Sequence, residues 1–166
     1  MSQKGIIINT TSLGHVDASD HAALFSAIFG SGGIMQFENN LEITRISDNK
    51  IKVDSGIYMM SCGIPIRVEN YDELTVSSGT LGQKRRDLVI AEYQKNGNGT
   101  GDDIARIRIL QGAFSSSNPK TPALTNTATV HQEKIATLLI DETTLSVESI
   151  DANILLNLSN AVFYEE

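Results

Sequence analysis

Four side chains with metal-ligating chemistry fall within seven positions of the stretch GHVDASDHAALFSAIFGSGG, residues 14–33: His15, Asp17, Asp20 and His21. A metal centre would need such donors to converge within about 2 Å of one ion. On a helix entered at Asp17, Asp17 and Asp20 share a face and His21 stands one turn beyond Asp17, so two carboxylates and an imidazole could meet. His15 precedes that helix. A simpler pattern uses the same residues. Asp17 is an N-cap type and Asp20, three residues on, holds the capping-box position where Glu or Gln is usual. Both acids also suit the positive end of the helix dipole. Capping accounts for both aspartates with nothing left over, so no metal is assigned.

Other chemistry is thinner. The serines of VSSGTLG and FSSSNP lie in turn sequences, without the strand–turn–helix setting of a nucleophile elbow. His15, His21 and His131 are the only candidate bases, and none falls in a motif. GNGTG, residues 97–101, has the glycines of a phosphate loop but not the following Lys and Ser/Thr or a helix, so it reads as a flexible hairpin turn. GTGDD lacks the spacing of an EF-hand calcium loop. Neither an enzyme nor a cofactor is expected.

The elements that would position these groups are mainly strands. After Asp17, Ala22, Ala23, Leu24, Phe25, Ala27, Ile28 and Phe29 make a short helix apolar over most of its circumference, ended by Gly30, Gly32 and Gly33. A helix so apolar is expected to be buried, under its own sheet or against another subunit. Beyond Gly33 the period changes to two: Leu41 and Ile43, Ile51 and Val53, Ile64 to Val68, and Leu74 and Val76 alternate with polar residues. SDNK, DSG, ENYD and SSGTLG read as the turns between them. YMMSCGIPI reads as an interior strand with Cys62 as a buried thiol, and Pro65 places its strand at an edge or a strand start. DLVIAEY, residues 87–93, is nearly all apolar and predicts a central strand covered on both faces. It forms a hairpin with IARIRIL, whose Ala105, Ile107 and Ile109 face in and Arg106 and Arg108 face out. Residues 115–122 read as a surface loop, and KIATLLID with TLSVESI as a last hairpin turning at 141–143. The tail from 151 fits either helix or strand. Short strands at this spacing predict an antiparallel β-sandwich or flattened barrel with one N-terminal helix. The expected division is an arm (1–13), a docking helix with its Gly-rich turn (14–33), the β domain (34–150) and a tail (151–166).

Composition narrows the partners. The chain has 166 residues and a formal net charge of −7, which disfavours nucleic acid and anionic membranes. Arg85–Arg86 is followed directly by Asp87 and reads as a local ion-pairing device. One cysteine permits no intrachain disulfide. The short apolar run near the start does not make a signal sequence, and no membrane-spanning length is present, so synthesis and folding in a cytoplasm are expected. The apolar helix and the apolar tail are surfaces that invite association, and a homo-oligomer is expected.

Three stretches carry a family resemblance. GHVDASDHAALFSAIFGSGG is similar to a segment near the N-terminus of small structural proteins from tailed phages and prophages of Gram-positive bacteria. NKIKVDSGIYMMSCGIPIRV (49–68) is similar to that group's strand, Gly-containing turn and strand. VSSGTLGQKRRDLVIAEY (76–93) resembles its Asn/Ser-Gly-Thr-x-Gly-x-x-Arg-x-Asp-Leu segment almost position by position. Cys62 departs from the pattern, where a polar residue is expected. The resemblance spans about residues 14–149 and implies a non-enzymatic tail-tip or baseplate component, assembled in the virion as a homo-oligomer, a trimer first, with other tail proteins as partners. On this view Asp17 and Asp20 cap a docking helix, Leu24, Phe25, Ile28 and Phe29 supply its interface, and Asp87 anchors Arg85 or Arg86 at the mouth of the central strand. The second expectation is an adsorption module whose loops 96–103 and 115–122 bind a host receptor or cell-surface saccharide.

Overall fold

The computed structural model describes residues 17–155. The arm, His15 and the tail beyond Leu155 therefore lie outside the described residues. The helix α1 spans Ala18–Phe29 and opens with the predicted capping box. The Asp17 carboxylate accepts from the Ser19 and Asp20 N–H groups, and the Asp20 carboxylate accepts from the Asp17 N–H at 3.0 Å. Gly30 closes it at φ +67°, donating to the Ser26 carbonyl.

The remainder is mainly β: two curled, largely antiparallel sheets that form the halves of a flattened barrel. The first contains β1 (Gly33–Met35), β2 (Ile43–Ser47), β3 (Lys50–Met59) and β4 (Pro65–Thr75). Strand β3 is its spine. It pairs along one side with β4 and along the other with β2 and then β1. The second sheet has the order β6 (Ile104–Leu110), β5 (Lys84–Gln94), β7 (Val130–Asp141) and β8 (Thr144–Ile150). A two-residue strand β9 (Ile154–Leu155) returns to the first sheet, parallel to β1. The halves meet along two seams, β4 beside β6 and β2 beside β8, where no ladder is formed.

Strand alternation divides β5 into two files. Arg85, Asp87, Val89, Ala91 and Tyr93 face the interior, where Val89 and Ala91 pack with Ile51, Val53, Ile135, Leu138 and Ile140. Arg86, Leu88, Ile90 and Glu92 face the other way, and the last three are also buried. The cover on that side is the segment 111–129. Arg86 donates to Asn118 Oδ1 and the Pro119 carbonyl, and Gln132 accepts from the Thr125 N–H at 2.7 Å. The loop 115–122 is thus pinned down, with Pro119 buried at its centre. DLVIAEY is the central strand covered on both faces that its composition predicts. The hairpins β5–β6 and β7–β8 form as predicted.

The first sheet departs from the expectation in three places. DSG lies inside β3, where the pairing with β4 shifts register between Asp54 and Gly56, and ENYD lies inside β4 opposite that shift. Two expected strands are therefore one, and turn-forming residues make a bulge instead of a reversal. Gly56 is needed there because an added Cβ would stand 2.7 Å from the Leu41 nitrogen. Conversely, residues 60–64 of YMMSCGIPI form the β3–β4 turn, closed by Met60 N–H to the Ile64 carbonyl and Gly63 N–H to the Met60 carbonyl. Cys62 is half-buried in that turn, not an interior-strand residue. Pro65 begins β4, an edge strand, as Pro requires. The expected burial of α1 is not found within one chain: none of its residues is buried.

Candidate functional site

The polar groups of the barrel interior gather at its two ends. At one end Arg85 and Asp87, neighbours on the inward file of β5, form a fully buried bidentate pair: Nε to Oδ1 at 2.8 Å and Nη2 to Oδ2 at 2.9 Å. Arg85 also donates to the Ser77 and Ser78 carbonyls and lies 4.8 Å over the Phe114 ring. Asp87 accepts from the Gly112 N–H. Two chain segments, 77–78 and 112–114, are thereby tied to the start of β5. Arg86, on the opposite file, pairs instead with Glu148 on β8 at 2.6 Å. The partner that Asp87 anchors is Arg85.

The other end is covered by α1 and carries the richest chemistry. Glu133 on β7 is its hub. Its Oε1 accepts from the Ser61 hydroxyl at 2.6 Å and the Ser61 N–H at 2.7 Å, and lies 2.8 Å from His131 Nε2. Its Oε2 accepts from the Tyr58 hydroxyl at 3.0 Å. Burial alone would raise this carboxyl's pKa. The donors from Ser61, His131 and Tyr58 together outweigh burial and hold it below the usual range. The same burial, with the carboxylate beside it, pushes the Tyr58 hydroxyl far up. Gly32 approaches Glu133 so closely that a Cβ there would clash with Oε2.

Ser61, His131 and Glu133 are the residue types of a hydrolytic triad, but their connections differ. In a triad the serine and the carboxylate bind opposite ring nitrogens, so that the imidazole can take the serine proton. Here Ser61 and Glu133 both meet Nε2, and Ser61 lies 3.2 Å from it. With Glu133 ionised, Nε2 carries the proton and donates it. Ser61 then finds no base on His131 and gives its hydrogen bond to the carboxylate. The arrangement fastens β3, the β3–β4 turn and β7 to one another. Nothing in the spacing of Tyr58, Ser61, His131 and Glu133 points to this cluster. The expected strand KIATLLID begins at Lys134, after both His131 and Glu133, so neither was placed on it.

Helix α1 rests on this end by its small residues. The Ser26 hydroxyl donates to the Ser61 carbonyl at 2.8 Å, and Ala22 meets Gly63 so tightly that a Cβ on Gly63 would come within 1.8 Å of the Ala22 oxygen. Gly63 also has φ +84°. Gly63→Ala is therefore expected to cost roughly 1–3 kcal/mol and to lift α1 from the turn. Faster limited proteolysis at Leu24–Phe25, with strand signal in circular dichroism retained, is the measurement that checks it.

A groove lies on each side of α1. One, of about 350 Å³, is lined by Ala18, Ser19, Ala22 and Ala23 against Cys62, Ile64, Tyr93, Lys95 and Asp103. The other, about 320 Å³, runs between His21, Phe25 and the Gly63–Pro65 turn. In the first, Tyr93 donates to Asp103 at 2.6 Å, and that bond together with burial and the nearby acid lifts its pKa to about 12. Burial likewise raises the Cys62 thiol, so it is a weak nucleophile at neutral pH.

The remaining sequence candidates sit as follows. Asp17 and Asp20 cap α1. Phe25 stacks obliquely on Phe29, with ring centroids 6.5 Å apart, and Ile28 is 55% exposed. In the loop 95–103, Asn98 Oδ1 accepts from Thr100 and Asp102 N–H groups, Asn96 Oδ1 from Gly101, and Asp103 from Asn96. Asp102 accepts from the Asn98 amide, and Asp103 divides its oxygens between the Asn96 N–H and the Tyr93 hydroxyl on β5. Among the described residues no group of three or more His, Cys, Asp or Glu side chains is placed to hold a metal ion. No helix among them is long and apolar enough to cross a membrane. No family model, curated protein or solved structure matches the chain.

Proposed function

We propose that this chain is a non-enzymatic structural subunit of a phage or prophage tail tip or baseplate, assembling with copies of itself through α1. The observation that carries self-assembly is the state of that helix. It is apolar almost all round, yet none of its twelve residues is buried in the chain. Its small face rests on the β3–β4 turn. By helical geometry Leu24, Ala27 and Ile28 lie on the side away from it, with Ala27 and Ile28 exposed. A helix of this kind gains stability only when a neighbour covers it. The tail-apparatus identity and the trimer rest on the resemblance of residues 14–149.

The test is the solution mass, by light scattering behind a sizing column, of the natural chain and of Ile28→Glu. A stable oligomer that falls to monomer on Ile28→Glu, with its melting curve otherwise kept, is the expected result. A natural chain that is already monomeric sinks self-assembly. It turns the reading to an adsorption module presenting the loops 96–103 and 115–122, the first tied by its internal hydrogen bonds and the second by Arg86.

A further inference from the structure

The larger groove runs beside α1, none of whose residues is buried. We infer that its occupant is the N-terminal arm of the same chain, with Ile6, Ile7 and Ile8 laid along the side of α1 against Cys62, Ile64 and Tyr93.

Three observations carry this. The first is chemistry. The groove's walls are Ala22, Ala23, Cys62, Ile64 and the Tyr93 ring, with Lys95 and Asp103 at the side. That is a slot for aliphatic side chains. The sixteen residues before Asp17 contain one continuous aliphatic run, Ile6–Ile8. The second is reach. Ala18, the first residue of α1, itself lines the groove, so the arm is tethered at its mouth. Eight residues, Asn9–Val16, separate the run from Asp17 and include Asn9, Ser12 and Gly14, residues that reverse a chain readily. A connection of that length is ordinary between packed elements.

The third is direction, which separates the arm from the other chain end. Strand β9 runs parallel to β1, pairing Ile154 with Ile34 and Leu155 with Met35. Within β9 the chain therefore runs from beside Ile34 to beside Met35, away from Gly33 and the end where α1 joins the barrel. The arm joins the helix at the groove, whereas β9, the last described strand, runs away from it.

The natural chain has a single cysteine, and it lines the groove. Ile6→Cys, Ile7→Cys and Ile8→Cys, each in the full chain, would be mildly oxidised and resolved by non-reducing gel and intact mass. A disulfide forms only when the two Cα atoms come within about 7 Å. The expected result is an intrachain disulfide to Cys62 in at least one variant, formed at a rate independent of protein concentration. Disulfides that join two chains would overturn the inference by giving the groove to a second copy. Absence of any bond to Cys62 in all three would overturn it as well.

A second readout needs no new bond. Alkylation of Cys62 by iodoacetamide should run about tenfold faster in a variant with Ile6, Ile7 and Ile8 all changed to Ser, the ratio set by about 1.4 kcal/mol of docking. An unchanged rate overturns the inference. Neither result depends on oligomer mass, so the arm can occupy the groove of a monomer, and an oligomer can form with the groove empty.

Discussion

Asp87→Ala is expected to destabilise the barrel by about 3–5 kcal/mol, the cost of leaving a buried charge without its partner. The Arg85 guanidinium is wholly enclosed. Without the carboxylate it keeps only two carbonyls, from Ser77 and Ser78, and the face of Phe114. The Gly112 N–H loses its acceptor in the same step. Replacing both partners by apolar residues, as in Arg85→Met with Asp87→Leu, should be far milder, because no charge is then stranded. The neighbouring arginine supplies the contrast. Arg86 meets Glu148 near the surface, with both side chains about a quarter to a third exposed. Its loss from that pair costs about 1 kcal/mol or less. Guanidinium denaturation midpoints at unchanged slope measure all of these. Equal, small losses for Asp87→Ala and Arg86→Ala would show that the enclosed pair does not hold the strand.

The second large effect is on acid stability. Glu92 faces outward from the second sheet, yet its side chain is wholly covered. Its two oxygens receive Arg106, Arg108 and Gln132, Gln132 at 2.6 Å. Arg108 is the leading cause that takes the carboxyl from its ordinary 4.5 to about 2, against the opposing effect of burial. A carboxyl lowered on folding stabilises the folded state fully above its unfolded value, and that contribution disappears as pH falls through the folded one. Stability should therefore be level above about pH 5 and decline between 4.5 and 2. Glu92→Gln is expected to lower the plateau by about 1–3 kcal/mol, since Arg106 and Arg108 lose a charged acceptor. It should also flatten the acid limb. Other carboxyls held low, among them Asp54 and Glu133, shape that limb in both proteins. The difference between the two pH curves isolates Glu92, and parallel curves would remove it as a source of acid sensitivity.

The fold was legible wherever a local rule decides the structure. Asp17 and Asp20 make their capping box within four residues. The alternation of IARIRIL places Ile107 and Ile109 in the core and Arg106 and Arg108 opposite, where they reach Glu92. The same alternation pairs Arg85 with Asp87 and excludes Arg86, a consequence of the two-residue strand period that adjacency in sequence obscures. DSG and ENYD were misleading because the residues that allow a chain to reverse also allow it to bulge; only the pairing of β3 with β4 separates the outcomes. The hub at Glu133 was beyond any local rule. Ser61 stands 72 residues from it, and the contact exists only once two sheets have closed on each other.

The two seams give the barrel a mechanical grain. Within each half, strands are cross-linked by ladder hydrogen bonds along their length, as in the unbroken run joining β5 to β6. Across the seams, polar ties are single contacts, such as Ser77 to Gln111 and the Leu145 N–H to Asp48. A load that shears a half along its strands must break many bonds together. A load that draws the halves apart meets the seam ties a few at a time, then the Glu133 hub and the Arg85 contacts at the two ends, and must expose the core between them. The molecule is stiff along its strands and compliant across the join, so an attachment that pulls on α1 and one that pulls on β8 would meet different resistances from the same fold.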